Sequence, residues 1–154
     1  MKFSTFNYER LLVDWNEDKE EVFIILKMFY ENHLSQRVKA LHNAIKAQNF
    51  KEIIIAFYWI KGSFSYIYAE KIIEDVYELV KKEKKLEKED YNWLIPGYLT
   101  ILKETKALQI ELDKFFGKKN NSKEITALEK ETMKIYFTPK EKSSFVERDF
   151  CCIF

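Results

Sequence analysis

The sequence predicts an all-α protein, an up-down bundle of four main helices with short flanking helices. Three observations carry this. Apolar residues recur at steps of three and four over most of the chain, the period of a helix with one buried face. Only three Gly and two Pro punctuate 154 residues, too few for the turns of a sandwich or barrel. Hydrophobic residues make up 47% and aromatics 16%, enough apolar mass for a core and too much for a disordered chain.

The elements follow in order. Asn7–Trp15 forms a short lead helix, with Phe6, Leu11, Leu12 and Trp15 covering one end of the bundle. Asp18-Lys19-Glu20-Glu21 is a capping-box pattern. It opens one long helix from about Asp18 to about Ala47, through Val22, Ile25, Leu26, Phe29, Leu34, Val38, Leu41 and Ile45, with a phase slip at Glu31–His33. Asn49-Phe50-Lys51-Glu52 is a second capping box. It starts a helix carrying Ile53, Ala56, Phe57, Ile60 and Phe64, and the two- or three-residue link makes it an antiparallel neighbour of the one before. After a break at Ser65–Tyr68, a helix carries Ala69, Ile72, Ile73, Val76, Leu79 and Val80. It runs into Lys81-Lys82-Glu83-Lys84-Lys85, a solvated end whose cations suit the negative pole of the helix dipole.

The fourth main helix starts at Tyr91 or Pro96 and ends at Phe116, with Pro96 in a first turn and Gly117 as the stop. Residues 1–117 form the bundle. Residues 118–136 form a polar linker and an accessory helix over Glu124–Tyr136, with Ile125, Leu128, Met133 and Ile135 available to dock. Residues 137–154 form a polar, flexible tail. No internal repeat is evident.

Composition also excludes functions. Lys plus Arg is 26 against 25 Asp plus Glu, without the basic excess expected of a nucleic-acid binder. No run approaches the ~18 apolar residues of a membrane span, and Met1-Lys2-Phe3-Ser4 leads into no signal-peptide core. The cysteines, Cys151 and Cys152, are adjacent, so they cannot staple the fold or form a zinc site. No metal or other cofactor is expected. Glu20, Glu21, Glu31 and Glu52 are scattered, without Glu-x-x-His repeats. A P-loop, a nucleophile elbow and an HExxH motif are all missing. The expectation is a binding protein and not an enzyme.

One segment carries a resemblance. Ala56-Phe57-Tyr58-Trp59-Ile60-Lys61-Gly62-Ser63 resembles the Ala-His-x-Leu-Lys-Gly-Ser signature of the histidine-containing phosphotransfer (HPt) family. Its surroundings are similar too: Phe29, Leu34 and Val38-Lys39-Ala40-Leu41 before it, Ala44–Phe50 at the turn, and Ala69–Leu79 after it. The resemblance spans about Phe6 to Phe116 and implies the family's four-helix bundle. It also implies a docking role for Tyr58, Trp59, Lys61, Gly62 and Ser63. Aligning Lys61-Gly62-Ser63 puts Tyr58 where the family has its phosphorylated histidine.

That departure removes the chemistry. Imidazole, with a pKa of ~6.5, is largely an unprotonated nucleophile near pH 7, whereas a phenol at ~10 is only about 0.1% ionised. A phosphotyrosine ester is also a poor donor back to a carboxylate. His33 and His42 lie outside the Lys-Gly-Ser register and read as surface or boundary residues.

The docking face is what remains. Tyr58 and Gly62 share a helix face, and Gly inside a helix costs about 1 kcal/mol relative to Ala. Either Gly62 leaves room for a partner, as the resemblance implies, or it lets another helix of the chain pack closely. Lys61 either meets a phosphate or acidic partner or is simply solvated. Ser63 belongs to the dock or bonds the preceding turn. Trp59 is an exposed anchor or is packed under Tyr30 or Tyr66. Phe57, Ile60 and Phe64 belong to the core.

The resemblance implies a pseudo-phosphotransfer module that binds a response-regulator receiver domain, or a related signalling partner, without moving phosphate. The other reading is a helical scaffold unrelated to phosphorelays. Finally, Cys151-Cys152-Ile153-Phe154 fits C-a-a-X prenylation at Cys151, with Phe pointing to geranylgeranyl. With Lys140, Lys142 and Arg148 nearby, one prenyl chain gives reversible attachment. The expected place is the cytoplasmic face of a membrane in a eukaryotic cell.

Overall fold

The structure, a computed structural model, describes residues 2–84, 91–119 and 122–136. Three of its helices begin where a short polar side chain satisfies free backbone N–H groups. Asn7 caps α1 (Tyr8–Asp14) through the N–H of Arg10. Asp18 caps α2 (Lys19–Asn32), accepting from Glu20 and Glu21. Then come α3 (Leu34–Lys46) and α4 (Phe50–Ser65), the latter capped by Asn49 on the N–H of Glu52. The tight link between them turns through Gln48 at φ 51°. α5 (Glu70–Val80), α6 (Leu94–Phe115) and α7 (Lys123–Tyr136) complete the described elements, and all regular structure among the described residues is helical.

The long helix expected over Asp18–Ala47 is two helices. The break falls at His33, with φ −122° and ψ −39°, at the phase slip. The hydrogen-bond ladder crosses it: His33 N–H reaches Phe29 C=O at 2.9 Å and Arg37 N–H reaches His33 C=O at 3.0 Å. The residue departs from helical dihedrals while both ladder bonds survive, so α3 resumes with its apolar stripe re-aimed at the core. α6 begins at Leu94, placing Pro96 in its first turn, where the missing N–H costs nothing. It ends in a Schellman motif. Gly117, at φ +65°, donates to Lys114 C=O, and Lys118 N–H reaches back to Asp113 C=O at 2.8 Å.

The stripes meet in one core. Val22, Leu26, Val38, Leu41, Ile53, Phe57, Ile60, Phe64, Val76, Tyr98, Leu102 and Leu112 are all fully buried. Phe29 meets Phe64 edge to face at 4.9 Å, tying the end of α2 to α4. Helices α3 to α6 pack in sequence, and α6 returns to touch α3.

At the other end of the molecule, α7 lies along α6 and reaches α3 through polar contacts. Glu124 pairs with Lys39, Glu131 with Lys46 at 2.8 Å, and Tyr136 Oη donates to Ile45 C=O at 3.1 Å. Ile125 of α7 is buried, but Ile135, expected to dock, is exposed, because the docked face of the last turn passes through Thr132 and Tyr136. Phe6 and Leu11 are buried as expected, but Trp15 is 45% exposed and covers no end of the core. Among the described residues, no helix is long and apolar enough to cross a membrane.

Candidate functional site

The second half of α4 turns an unusual face outward. Ile55, Tyr58, Trp59, Gly62 and Tyr66 are all exposed. Their spacing of three, four and seven residues makes one stripe on the helix. The opposite stripe, Ile53, Ala56, Phe57, Ile60 and Phe64, is buried, so α4 presents apolar side chains on both faces. Only the inner stripe is needed for folding. Beyond the outer stripe lies a groove of about 570 Å³. It is walled by Ile25, Met28 and Phe29 of α2, by Trp15, by His33 and Arg37, and by Tyr58, Trp59, Gly62, Ser63 and Tyr66.

Tyr58 is 54% exposed and Trp59 is 51% exposed. Trp59 is not packed under Tyr30 or Tyr66: the Arg37 guanidinium lies over its ring, 4.8 Å from the centroid. Gly62 is exposed, and a Cβ built on it would meet nothing within 4 Å. Among the described residues, no other helix therefore uses Gly62 for close packing. Lys61 is exposed and leans toward α5, with Nζ 5.5 Å from the Tyr77 ring, and it does not line the groove. Ser63 is buried at 7%, and its Oγ accepts from Arg37 Nε at 3.1 Å. Its hydroxyl thus holds Arg37 in place.

Arg37 and Met28 belong to this site without being marked by the sequence, and His33 and Tyr66 join it although the sequence gives them no role in docking. One signal was available. Arg37 is among only three arginines in a chain rich in lysine, four residues after His33 at the phase slip. Burial lowers the His33 pKa and the neighbouring Arg37 charge lowers it further, both favouring the neutral imidazole. Its Nδ1 is shielded from solvent without a hydrogen-bond partner.

His42, expected at the surface or a boundary, is buried at 4%. The reason is α7, which closes over it. Nδ1 lies 2.6 Å from Tyr98 Oη, and Nε2 lies 3.4 Å from Glu131. His42 is thus part of the seam between α3, α6 and α7 and does not line the groove. Cys151 and the tail cations Lys140, Lys142 and Arg148 lie outside the described residues. Among the described residues, no group of His, Cys, Asp and Glu is placed to hold a metal ion.

No family model, curated protein or solved structure matches the chain.

Proposed function

We propose that the chain is a pseudo-phosphotransfer binding module, which docks a receiver domain or a related signalling partner on the outer face of α4 and moves no phosphate. One observation carries this reading: Gly62 stands open among exposed aromatics, with 4 Å of clear space where a side chain would be. A glycine there lowers helix stability and serves no packing among the described residues, which supports the approach of something from outside. The flanking Tyr58 and Trp59 are residue types favoured as interface anchors.

The fold that goes with this reading is the up-down four-helix bundle of the phosphotransfer type, made of α3 to α6 with α2 extending α3. Tyr58 occupies the position of the phospho-accepting group as a phenol, which is suited to contact and unsuited to relay. Tethering by a prenyl group on Cys151 places the module at the cytoplasmic face of a membrane. Mass spectrometry of the C-terminal peptide tests that part, and a free Cys151 thiol removes it.

The docking claim is tested by pull-down from the native cell with the wild-type chain and Gly62→Trp. The expected result is recovery of a receiver-domain protein by the wild type and its loss from the variant. Equal recovery of every partner by both leaves only the scaffold reading.

A further inference from the structure

The groove beside α4 holds a guanidinium charge. Arg37 is half-buried, yet among the described residues no carboxylate pairs with it. Its partners are neutral: the Ser63 hydroxyl at Nε and the Trp59 ring face. These two contacts fix the plane of the guanidinium, and among the described residues nothing accepts from its terminal Nη groups. Taking a guanidinium partly out of water without a counter-charge is unfavourable, and a carboxylate matches its fork of donors in a bidentate pair.

The walls around it are of another kind. Ile25, Met28, Phe29, Trp15, Tyr58 and Tyr66 are apolar or aromatic. His33 also lines the groove, but its Nδ1 is shielded from solvent, so Arg37 is the polar group that the groove presents to a ligand. The volume of about 570 Å³ lies within the ~300–1,000 Å³ of small-molecule sites, which combine apolar walls with a few placed polar groups. A cationic ligand is disfavoured, because Arg37 already occupies the Trp59 face that would attract it.

From this juxtaposition of an uncompensated Arg37 with aromatic and aliphatic walls, we infer that the groove binds an amphipathic monocarboxylic acid, with the carboxylate on Arg37 and the apolar body between Met28, Tyr58, Trp59 and Tyr66. The inference rests on the groove alone and holds whether or not α4 docks a receiver domain. A bound acid would cover the groove side of Gly62 and so compete with a protein partner there.

The test uses three probes of equal chain length, decanoate, decanol and decyltrimethylammonium, each below its micelle-forming concentration. They are titrated into the full chain and followed by the tryptophan indole N–H signals in NMR. Decanoate should bind more tightly than decanol, and the ammonium probe most weakly. The signals of Trp15 and Trp59 should shift while that of Trp93, at the start of α6, stays. Arg37→Gln should weaken decanoate about tenfold, the value of a hydrogen-bonded charge contact, and leave decanol unchanged. Decanoate binding no better than decanol, tighter binding of the ammonium probe, or shifts at Trp93 alone would each overturn the proposal. So would an Arg37→Gln variant that binds decanoate as the wild type does. The wild-type ranking needs no variant, so the test stands even if Arg37→Gln does not fold.

Discussion

Replacing Gly62 by Ala should make the protein more stable. Gly62 sits within α4, three residues before its end at Ser65. Glycine loses more backbone freedom on helix formation than alanine, a difference of about 0.5–1 kcal/mol at such a position. The added methyl meets nothing within 4 Å, so no steric term opposes the gain. Gly97 is the internal contrast. It also lies in a helix, but a Cβ there would come 2.5 Å from Leu79 Cδ2 and 3.2 Å from its Cγ. Leu79 is buried at 6%, so it moves only by disturbing packed neighbours, an overpacking cost of about 1–3 kcal/mol that outweighs the helix gain. Urea unfolding followed by circular dichroism reads both variants as midpoint shifts at constant slope. In melting temperature, each kcal/mol is worth about 2–4 °C for a chain of this size. Gly62→Ala should move upward and Gly97→Ala downward. A loss of stability in Gly62→Ala would mean that the space beside Gly62 is filled, and the argument that the glycine serves an outside partner would fail.

Three further outcomes test the account of the fold. Tyr98→Phe should cost about 1–3 kcal/mol in urea unfolding, because it leaves the buried His42 Nδ1 without the hydroxyl now 2.6 Å away; no change would mean that water or a rotated ring replaces that contact. Burial alone would raise the Glu111 carboxyl, but the Thr5 hydroxyl, the backbone N–H groups of Ser4 and Thr5 and the Ser4 hydroxyl together hold it below the usual range. A depressed carboxyl contributes stability above its unfolded value of ~4.3 and loses it as pH falls through the folded value, so Glu111→Gln should be destabilised at pH 7 and converge on the wild type in acid. Asp75 has the opposite sign: burial, then the nearby Glu104 charge, raise its carboxyl. Its favourable protonated form is lost as pH rises through the folded value, so Asp75→Asn should gain stability at pH 7 and show none of that gain below pH ~4, and a gain independent of pH would refute the cause.

Local signals in this chain were legible because they act over a few residues. Helices start beside Asn7, Asp18 and Asn49, where the sequence marks their beginnings, and Gly117 stops α6 at φ +65°. The inner stripe of α4 was equally plain, since Ile53, Phe57, Ile60 and Phe64 recur on one face. What periodicity did not give was the environment of the polar and aromatic residues. His42 reads as a surface residue until α7, which follows it by some eighty positions, closes over it. Trp15 is apolar enough for the core, but the chain turns at Asn16 and Glu17, both at positive φ, and leaves it in solvent. The break at His33 keeps both ladder hydrogen bonds, so the sequence shows it only as a slip in phase. Arg37 needed the tertiary structure most, because its meaning comes from Ser63 and Trp59 on another helix.

The central claim is that the open face at Gly62 receives a signalling partner and that no phosphate crosses it. The measurement closest to that claim is calorimetric titration of the purified chain with receiver domains from the same cell, phosphorylated and not, followed by assay of the protein for phosphohistidine. The account predicts saturable binding of a receiver domain, its loss in Gly62→Trp with the fold intact by circular dichroism, and no phosphate on His33 or His42. Binding that survives Gly62→Trp unchanged, or phosphate transferred to either histidine, would contradict it.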